Sequence, residues 1–339
     1  MKKIFLSSFV FLTLIVFLCS CTVNQTPVEE EIGELPNDYP ESEPPHSQVR
    51  LTMATGNTSG TYYPYGGVLA LAIEASTGYI KIIVSSTGAS EENVQQISSG
   101  IANLAIVQND VLNYAYNGTN NWSDNPVKEI STLMSLYPEV CQLIVSADSG
   151  INSVADLKGK RISIGDAGSG VQYNALQILE AYGLSAEDLQ IQQLGFSASA
   201  DGIRNNTLDG FFATSGLPNN SVLELATSHN INLIGLDDNK IGSLISKYPY
   251  YTKTAVSEKD YGFLSAAVNT VSVQATLVAG SELEEQVAYD IVKAIIEYKE
   301  NIMVAHAKGA YIDPKYAVQG ISVSLHPGAK KYFQELGVL

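Results

Sequence analysis

Arginine is nearly missing from this chain: Arg50, Arg161 and Arg204 are the only three among 339 residues. Arg50 precedes the first apolar run and Arg161 opens another, so both fall at the ends of their strands away from any ligand. Arg204 lies late in a helical stretch and is expected to be solvated. The usual bidentate clamp for a carboxylate is therefore absent. Lys and Arg together number 19 against 35 Asp and Glu, a formal net charge of −16. That balance excludes a nucleic-acid partner, which requires a basic face. Cysteine is scarce too. Of Cys19, Cys21 and Cys141 two sit at the start, so no disulfide framework exists, and Cys141 in the run Cys141–Val145 reads as a buried small hydrophobe. The four histidines, His46, His229, His306 and His326, have no cysteine at zinc-binding spacing. No Gly-x-Ser-x-Gly elbow, His-Glu-x-x-His, P-loop or dinucleotide fingerprint occurs. Glu282, Glu284 and Glu285 form a charged helix start rather than a carboxylate pair for glycoside chemistry. Catalysis is thus not expected, an exported hydrolase being the weaker competing class, and neither cofactor nor metal is called for.

What is present begins with one apolar run. Lys2 and Lys3 precede Ile4–Leu18, a stretch of the length of a signal-peptide core and short for a spanning helix. Leu18-Cys19-Ser20-Cys21 then resembles a bacterial lipobox, with an aliphatic residue three before Cys21 and a small one just before it. Cleavage after Ser20 and lipidation of Cys21 follow, placing the protein on the outer face of the cell membrane. From Thr22 to Val49 the chain carries Glu29, Glu30, Glu31, Glu34, Asp38, Glu41 and Glu43, five prolines, and no Lys or Arg. Like charges and little apolar surface predict a disordered tether of about 90 Å contour.

The body alternates strands and helices. Leu51–Thr55, Ile80–Ser85 and Leu104–Val107 read as strands, with helices over Pro64–Ser76 and Glu91–Ser99. This βαβαβ order predicts a parallel sheet flanked by helices, with ligands at the carboxyl ends of the strands. A second α/β unit starts after Ser146, with strands Arg161–Ile164, Ile191–Leu194, Gly210–Ala213 and Ile231–Ile234. Its helices are expected over Val171–Tyr182, Ser199–Asn205 and Asn219–Thr227. Strand Thr270–Leu277, a long helix Glu282–Ala307 and a final helix Pro327–Leu336 close the chain. Each unit has a Gly/Ser/Thr loop running into a helix: Thr55–Gly66 in the first, Gly165-Asp166-Ala167-Gly168-Ser169-Gly170 in the second. Such a loop presents free N–H groups at the positive end of a helix and suits a small anion. Ser90 and Asp110 stand where helix caps are expected. Two anion-friendly loops facing one another predict a solute clamped by hinge closure.

These segments resemble the TAXI family of TRAP-transporter solute receptors. The resemblance covers Leu51 to Leu339. It is carried by Thr55-Gly56 through Thr61-Tyr62-Tyr63-Pro64-Tyr65-Gly66, Ser86-Thr87-Gly88-Ala89-Ser90 with Asn93, Leu104-Ala105-Ile106-Val107-Gln108-Asn109-Asp110 and Asp156-Leu157-Lys158-Gly159-Lys160. Gly168-Ser169-Gly170, Thr214-Ser215-Gly216-Leu217-Pro218 and His326-Pro327-Gly328-Ala329 complete the set. Ala89 stands where the family usually has glycine and Asn109 where it usually has serine. The resemblance implies an α/β, two-lobed type II periplasmic-binding fold, each lobe a mostly parallel sheet with flanking helices, joined by crossing strands around a cleft. It places residues 50–145 plus 270–339 in one lobe and 146–269 in the other, after a signal peptide 1–20 and a lipidated tether 21–49. It also implies capture of a small organic acid, glutamate, glutamine or a relative first, for a TRAP permease. A sensory lipoprotein using the same clamp is the alternative.

Without arginine, a ligand carboxylate falls to helix N-termini and hydroxyls. Ser59, Gly60, Thr61 and Tyr62 are expected from one lobe with Thr87 and Ser90, and Gly168, Ser169, Gly170 and Val171 from the other. Gln108 and Asp110 are placed to receive an amino group. Tyr137 and Tyr250 are candidate walls, and Thr214, Ser215 and Asn219 lie at a further strand exit.

Overall fold

A computed structural model describes residues 47–339. The export signal, Cys21 and nearly all of the tether lie outside the described residues. The first unit runs β1 (Val49–Ala54), α1 (Tyr62–Thr77), β2 (Ile80–Ser85), α2 (Ser90–Ser98), β3 (Leu104–Gln108) and α3 (Asn109–Asn117), leading into a long strand β4 (Ile130–Ser146). The second runs β5 (Arg161–Ser163), α4 (Gly170–Ala181), β6 (Gln190–Gln192), α5 (Phe196–Arg204), β7 (Gly210–Ser215), α6 (Asn220–Ser228) and β8 (Ile231–Ile234). Then come α7 (Asp238–Lys247), β9 (Thr252–Val256) and a second long strand β10 (Val268–Gly280). The chain closes with α8 (Glu285–Glu297), α9 (Lys299–Ala305), α10 (Pro314–Ala317) and α11 (Pro327–Glu335).

The strands form one curled mixed sheet in the order β2-β1-β3-β10-β4-β7-β5-β6. Two parallel trios, β2-β1-β3 and β6-β5-β7, flank the antiparallel pair β4/β10, whose strands belong to both halves. β3 and β7 are buried along their whole length, as strands covered on both faces must be. Their runs Leu-Ala-Ile-Val-Gln and Gly-Phe-Phe-Ala-Thr-Ser read accordingly as continuous rather than alternating. Each half has an apolar core on either face of its sheet. In the first, Leu69 and Ile73 of α1 meet Ile291 and Ile295 of α8 on one side, and Val94, Val111 and Leu112 pack on the other. In the second, Ile178, Leu179 and Leu244 oppose Ile203, Val222 and Leu225. Each such aliphatic side chain, fully buried, contributes about 2 kcal/mol.

The β4/β10 ladder shifts register between Ala275 and Thr276, opposite Tyr137 and Ser135. Pro138 stands beside this irregularity, where a residue without an N–H is tolerated. Such bulges bend a strand locally; Glu139 follows in regular register, opposite Val273.

Three sequence expectations change. The helix expected over Glu282–Ala307 breaks at Tyr298 into α8 and α9; the second piece turns Ile302 inward against α1 and leaves Val304 in solvent. Ser90 is the first residue of α2 rather than its cap, which is Ala89 with φ 82° and ψ −140°. Asp110 lies inside the first turn of α3, capped by Gln108.

Candidate functional site

The carboxyl ends of both parallel trios point at one cavity between the halves. Asn93, buried in α2, ties the exits of the first half together. Its Nδ2 donates to the carbonyls of Thr55 (2.5 Å) and Ile106 (2.8 Å), and its Oδ1 accepts from the Thr87 hydroxyl (2.6 Å). The loop after β1 is drawn to β2 by Thr55 Oγ1 donating to the Ser85 carbonyl (2.6 Å) and Ser86 Oγ to that of Gly56 (2.9 Å). This geometry presents the N-terminus of α1 to the cavity through Gly60, Thr61 and Tyr62. From the other half α4 presents Ser169, Gly170 and Val171. The first-turn N–H groups of both helices have no acceptor within their own helix.

Ser169 is the cap residue of α4, yet its hydroxyl makes no capping bond. The residue is 4% exposed and its Oγ has no hydrogen-bond partner among the described residues. A buried hydroxyl left unpaired costs about 1–3 kcal/mol. It lines the cavity, where an acceptor on a bound molecule can take its hydrogen bond.

The floor comes from β4. Glu139, 2% exposed, accepts a 2.5 Å hydrogen bond from the Tyr62 hydroxyl, and burial pushes its carboxyl up to about 8. Asn57, Asp166, Gly195, Phe196, Thr214 and Ser215 complete much of the wall. The cavity leaves about 50 Å³ for the centre of a water-sized molecule. Among the described residues no Lys, Arg or His lines it. Among the described residues no three His, Cys, Asp or Glu side chains gather in a way that would hold a metal.

The halves are shut over this cavity. Backbone N–H groups of Glu91 and Glu92 both donate to the Gly168 carbonyl, at 2.9 and 3.3 Å. Tyr173 OH donates to Glu91 (3.0 Å), and Gln177 Nε2 to the Tyr114 hydroxyl (2.8 Å). Behind the cavity, Gln108 Nε2 donates to Asp110 Oδ1 and to Asn174 Oδ1, while Asn174 Nδ2 donates to Asp110 Oδ2. Gln108 Oε1 is left facing Gly170, where a Cβ would lie 2.3 Å from it; only glycine allows that approach.

Of the residues expected from the sequence, Gly60, Thr61, Tyr62, Gln108, Ser169, Gly170, Val171 and Ser215 line the cavity. Six of the others stand back from it. Ser90 Oγ accepts the Gln108 N–H (3.0 Å), and Thr87 holds Asn93. Asp110, pushed up to about 6 by burial, spends both oxygens on Gln108 and Asn174. Gly168 supplies the carbonyl that holds the halves closed. Ser59 borders an adjoining cavity with Leu217, Pro218 and Lys308. Tyr137 is fully buried edge-on to Tyr65, with the Lys308 ammonium over its ring. Tyr250, a further candidate wall, donates instead to Asn113 Oδ1 (2.6 Å). Thr214 lines the cavity as well, whereas Asn219 caps α6. Sequence reasoning missed Glu139, Asp166 and Phe196. Glu139 carried a usable signal, a lone acid inside the apolar stretch Leu133–Val145, where an unpaired charge is costly.

A model of the NMT1-like family matches residues 53–337. The chain belongs to that family. Among solved structures it is similar to the alkanesulfonate-binding protein SsuA from Xanthomonas axonopodis pv. citri bound to MOPS, at 14% identity over 85% of this chain and 84% of that one, with a TM-score of 0.50. A Bordetella bronchiseptica RB50 protein is 17% identical over 86% and 90% of the two chains (TM-score 0.50). A periplasmic transporter is 11% identical over 86% and 93%, with a TM-score of 0.52. At these identities the likeness is one of fold: this NMT1-like chain has the two-lobed fold of periplasmic binding proteins.

Proposed function

We propose that this protein is an extracytoplasmic solute receptor. It closes its lobes around a small organic acid, glutamate, glutamine or a relative first, and delivers it to a TRAP-type ion-coupled permease. The observation that carries the reading is the unpaired, buried Ser169 hydroxyl at the N-terminus of α4, in a cavity that α1 also faces with its N-terminus. A carboxylate there accepts from the hydroxyl and from first-turn N–H groups and needs no arginine. The NMT1-like membership and the binding-protein fold support solute capture rather than catalysis, and the resemblance to TAXI receptors supports the TRAP partner. The lobes are residues 50–145 plus 270–339 and 146–269, with β4 and β10 crossing between them. Cys21 carries the lipid anchor and residues 22–49 the tether that lets the receptor reach its permease.

Thermal unfolding of the purified, solute-stripped protein tests this against glutamate, glutamine, pyroglutamate, 2-oxoglutarate and C4-dicarboxylates. A ligand at 100 times its Kd adds about 2.7 kcal/mol of stability. A strong shift with one compound identifies the cargo. No shift with any organic acid removes the receptor reading.

A further inference from the structure

The receptor reading explains the α4 end of the cavity and leaves Glu139 unexplained. This carboxyl sits on the crossing strand β4, 2% exposed, and lines the cavity. Among the described residues its side chain has one hydrogen bond, accepted from Tyr62 through Oε2. None of the ion pairs among the described residues includes it. Lys308, the nearby cation, spends its Nζ on the Leu217 carbonyl (2.5 Å) and lies over the rings of Tyr137 and Tyr311. Gln108 lines the same cavity, with its Nε2 spent on Asp110 and Asn174 and its Oε1 packed against Gly170. A buried acid ionises only beside a cation, and here nothing but a ligand is placed to bring one.

We propose that Glu139 is the seat of a protonated amine, so that the solute is an amino acid held as a zwitterion with its carboxylate at Ser169 and the α4 N-terminus. The inference rests on the receptor reading and narrows its ligand class. It reassigns the amine from Asp110, whose two oxygens are already occupied, to a residue not singled out in the sequence. The groups facing Glu139 are Tyr62 from α1, Asp110 from α3, Tyr137 on its own strand and Lys308 from the segment after α9. Burial, with a smaller contribution from the charge of Asp110, raises its carboxyl to about 8, so the empty site holds the acid protonated at neutral pH. An arriving ammonium favours the ionised form, and the carboxyl proton leaves to solvent.

Isothermal titration of the wild-type protein with amino acids, each paired with the 2-hydroxy acid of the same skeleton, tests the amine directly. L-glutamate against 2-hydroxyglutarate is the first pair. The expected result is an amino acid that binds at least 100-fold tighter than its hydroxy partner. Titrations at pH 7 in buffers of different ionisation enthalpy should report release of close to one proton per amino acid bound. E139Q should lose at least 30-fold for the amino acid and little for the hydroxy acid. Its unliganded melting temperature separates loss of the seat from loss of the fold. Equal binding of the two partners, or binding of a hydroxy acid or dicarboxylate alone, overturns the amine seat and leaves the receptor standing. Binding by no member of either series overturns both.

Discussion

Gly88 lies so close to Ala167 that a Cβ on the glycine would sit 2.5 Å from the alanine's carbonyl oxygen. The two residues come from opposite halves, Gly88 from the exit of β2 and Ala167 from the loop before α4. Next to them the Gly168 carbonyl accepts from Glu91 and Glu92. The closed state therefore depends on a bare backbone at position 88, because a Cβ cannot approach a carbonyl oxygen below about 3 Å without displacing it.

Gly88→Ala is expected to hold the lobes apart. Solute affinity should fall at least 10-fold, and small-angle scattering with saturating solute should show a larger radius than wild type. Thermal unfolding without solute should move little, since neither core contains position 88. Unchanged affinity would mean that the halves do not need this contact to close.

Ser169→Ala removes a buried cavity hydroxyl that has no partner among the described residues. Losing a hydrogen bond to a charged group costs about 1.5–3 kcal/mol, a factor of roughly 10 to 150 in Kd. The empty protein should be as stable as wild type or slightly more so, because an unsatisfied buried polar atom disappears. Urea unfolding and calorimetric titration together separate the two effects. A large stability loss with unchanged affinity would reduce Ser169 to a structural residue.

Much of this site was legible in the sequence, and the residues show why. Local signals located the loops. Gly and Ser before an apolar helical period marked α1 and α4, and their N-terminal residues do line the cavity. The alternation of strands and helices gave the parallel trios. Long-range geometry escaped. Pro138 interrupts the apolar pattern, so the sequence marks an apolar run at Cys141–Val145 and no strand there, although β4 spans Ile130–Ser146. Without that strand, Glu139 has no visible place in the site. Asp110 was misjudged for a similar reason: its sequence position was right, but Asn174, 64 residues away, occupies it. α7 went unread because only Ile241, Leu244 and Ile245 carry its buried face.

Asp209 predicts an acid-sensitive contribution to stability. Its Oδ1 accepts from Arg161 Nη2 (2.6 Å), and its Oδ2 from the Arg161 backbone N–H (2.8 Å) and Nε (3.2 Å). Hydrogen bonds from Arg161, outweighing partial desolvation, hold its carboxyl below the usual range. The folded value lies below the unfolded one of about 3.9, so the stabilisation is full above that pH and is lost as pH falls through the folded value. Asp209→Asn should cost about 1 kcal/mol at pH 7 in urea unfolding. The gap between mutant and wild type should narrow as the pH drops below about 4. A gap that stays constant down to pH 2 would show that the charge plays no part.

Ala89 holds a backbone conformation, φ 82° and ψ −140°, that glycine adopts freely and an L side chain rarely does. The position is forced by its neighbours. The Ala89 N–H is drawn to the Thr87 hydroxyl (3.0 Å), its carbonyl starts α2 by accepting from Asn93 N–H (2.8 Å), and Asn93 is pinned by two strand exits. The resembling receptors usually carry glycine here. Backbone strain of this kind costs about 1–3 kcal/mol, whereas glycine's extra freedom in the unfolded chain costs about 0.4–1 kcal/mol. Relief wins in that comparison, so Ala89→Gly should stabilise the protein by about 1 kcal/mol and raise the urea midpoint. Its methyl also lines the cavity, so the same change widens the site by one carbon and should alter solute affinity by less than about 10-fold. Destabilisation by the usual Ala→Gly amount would show instead that the turn relaxes to an unstrained conformation in solution.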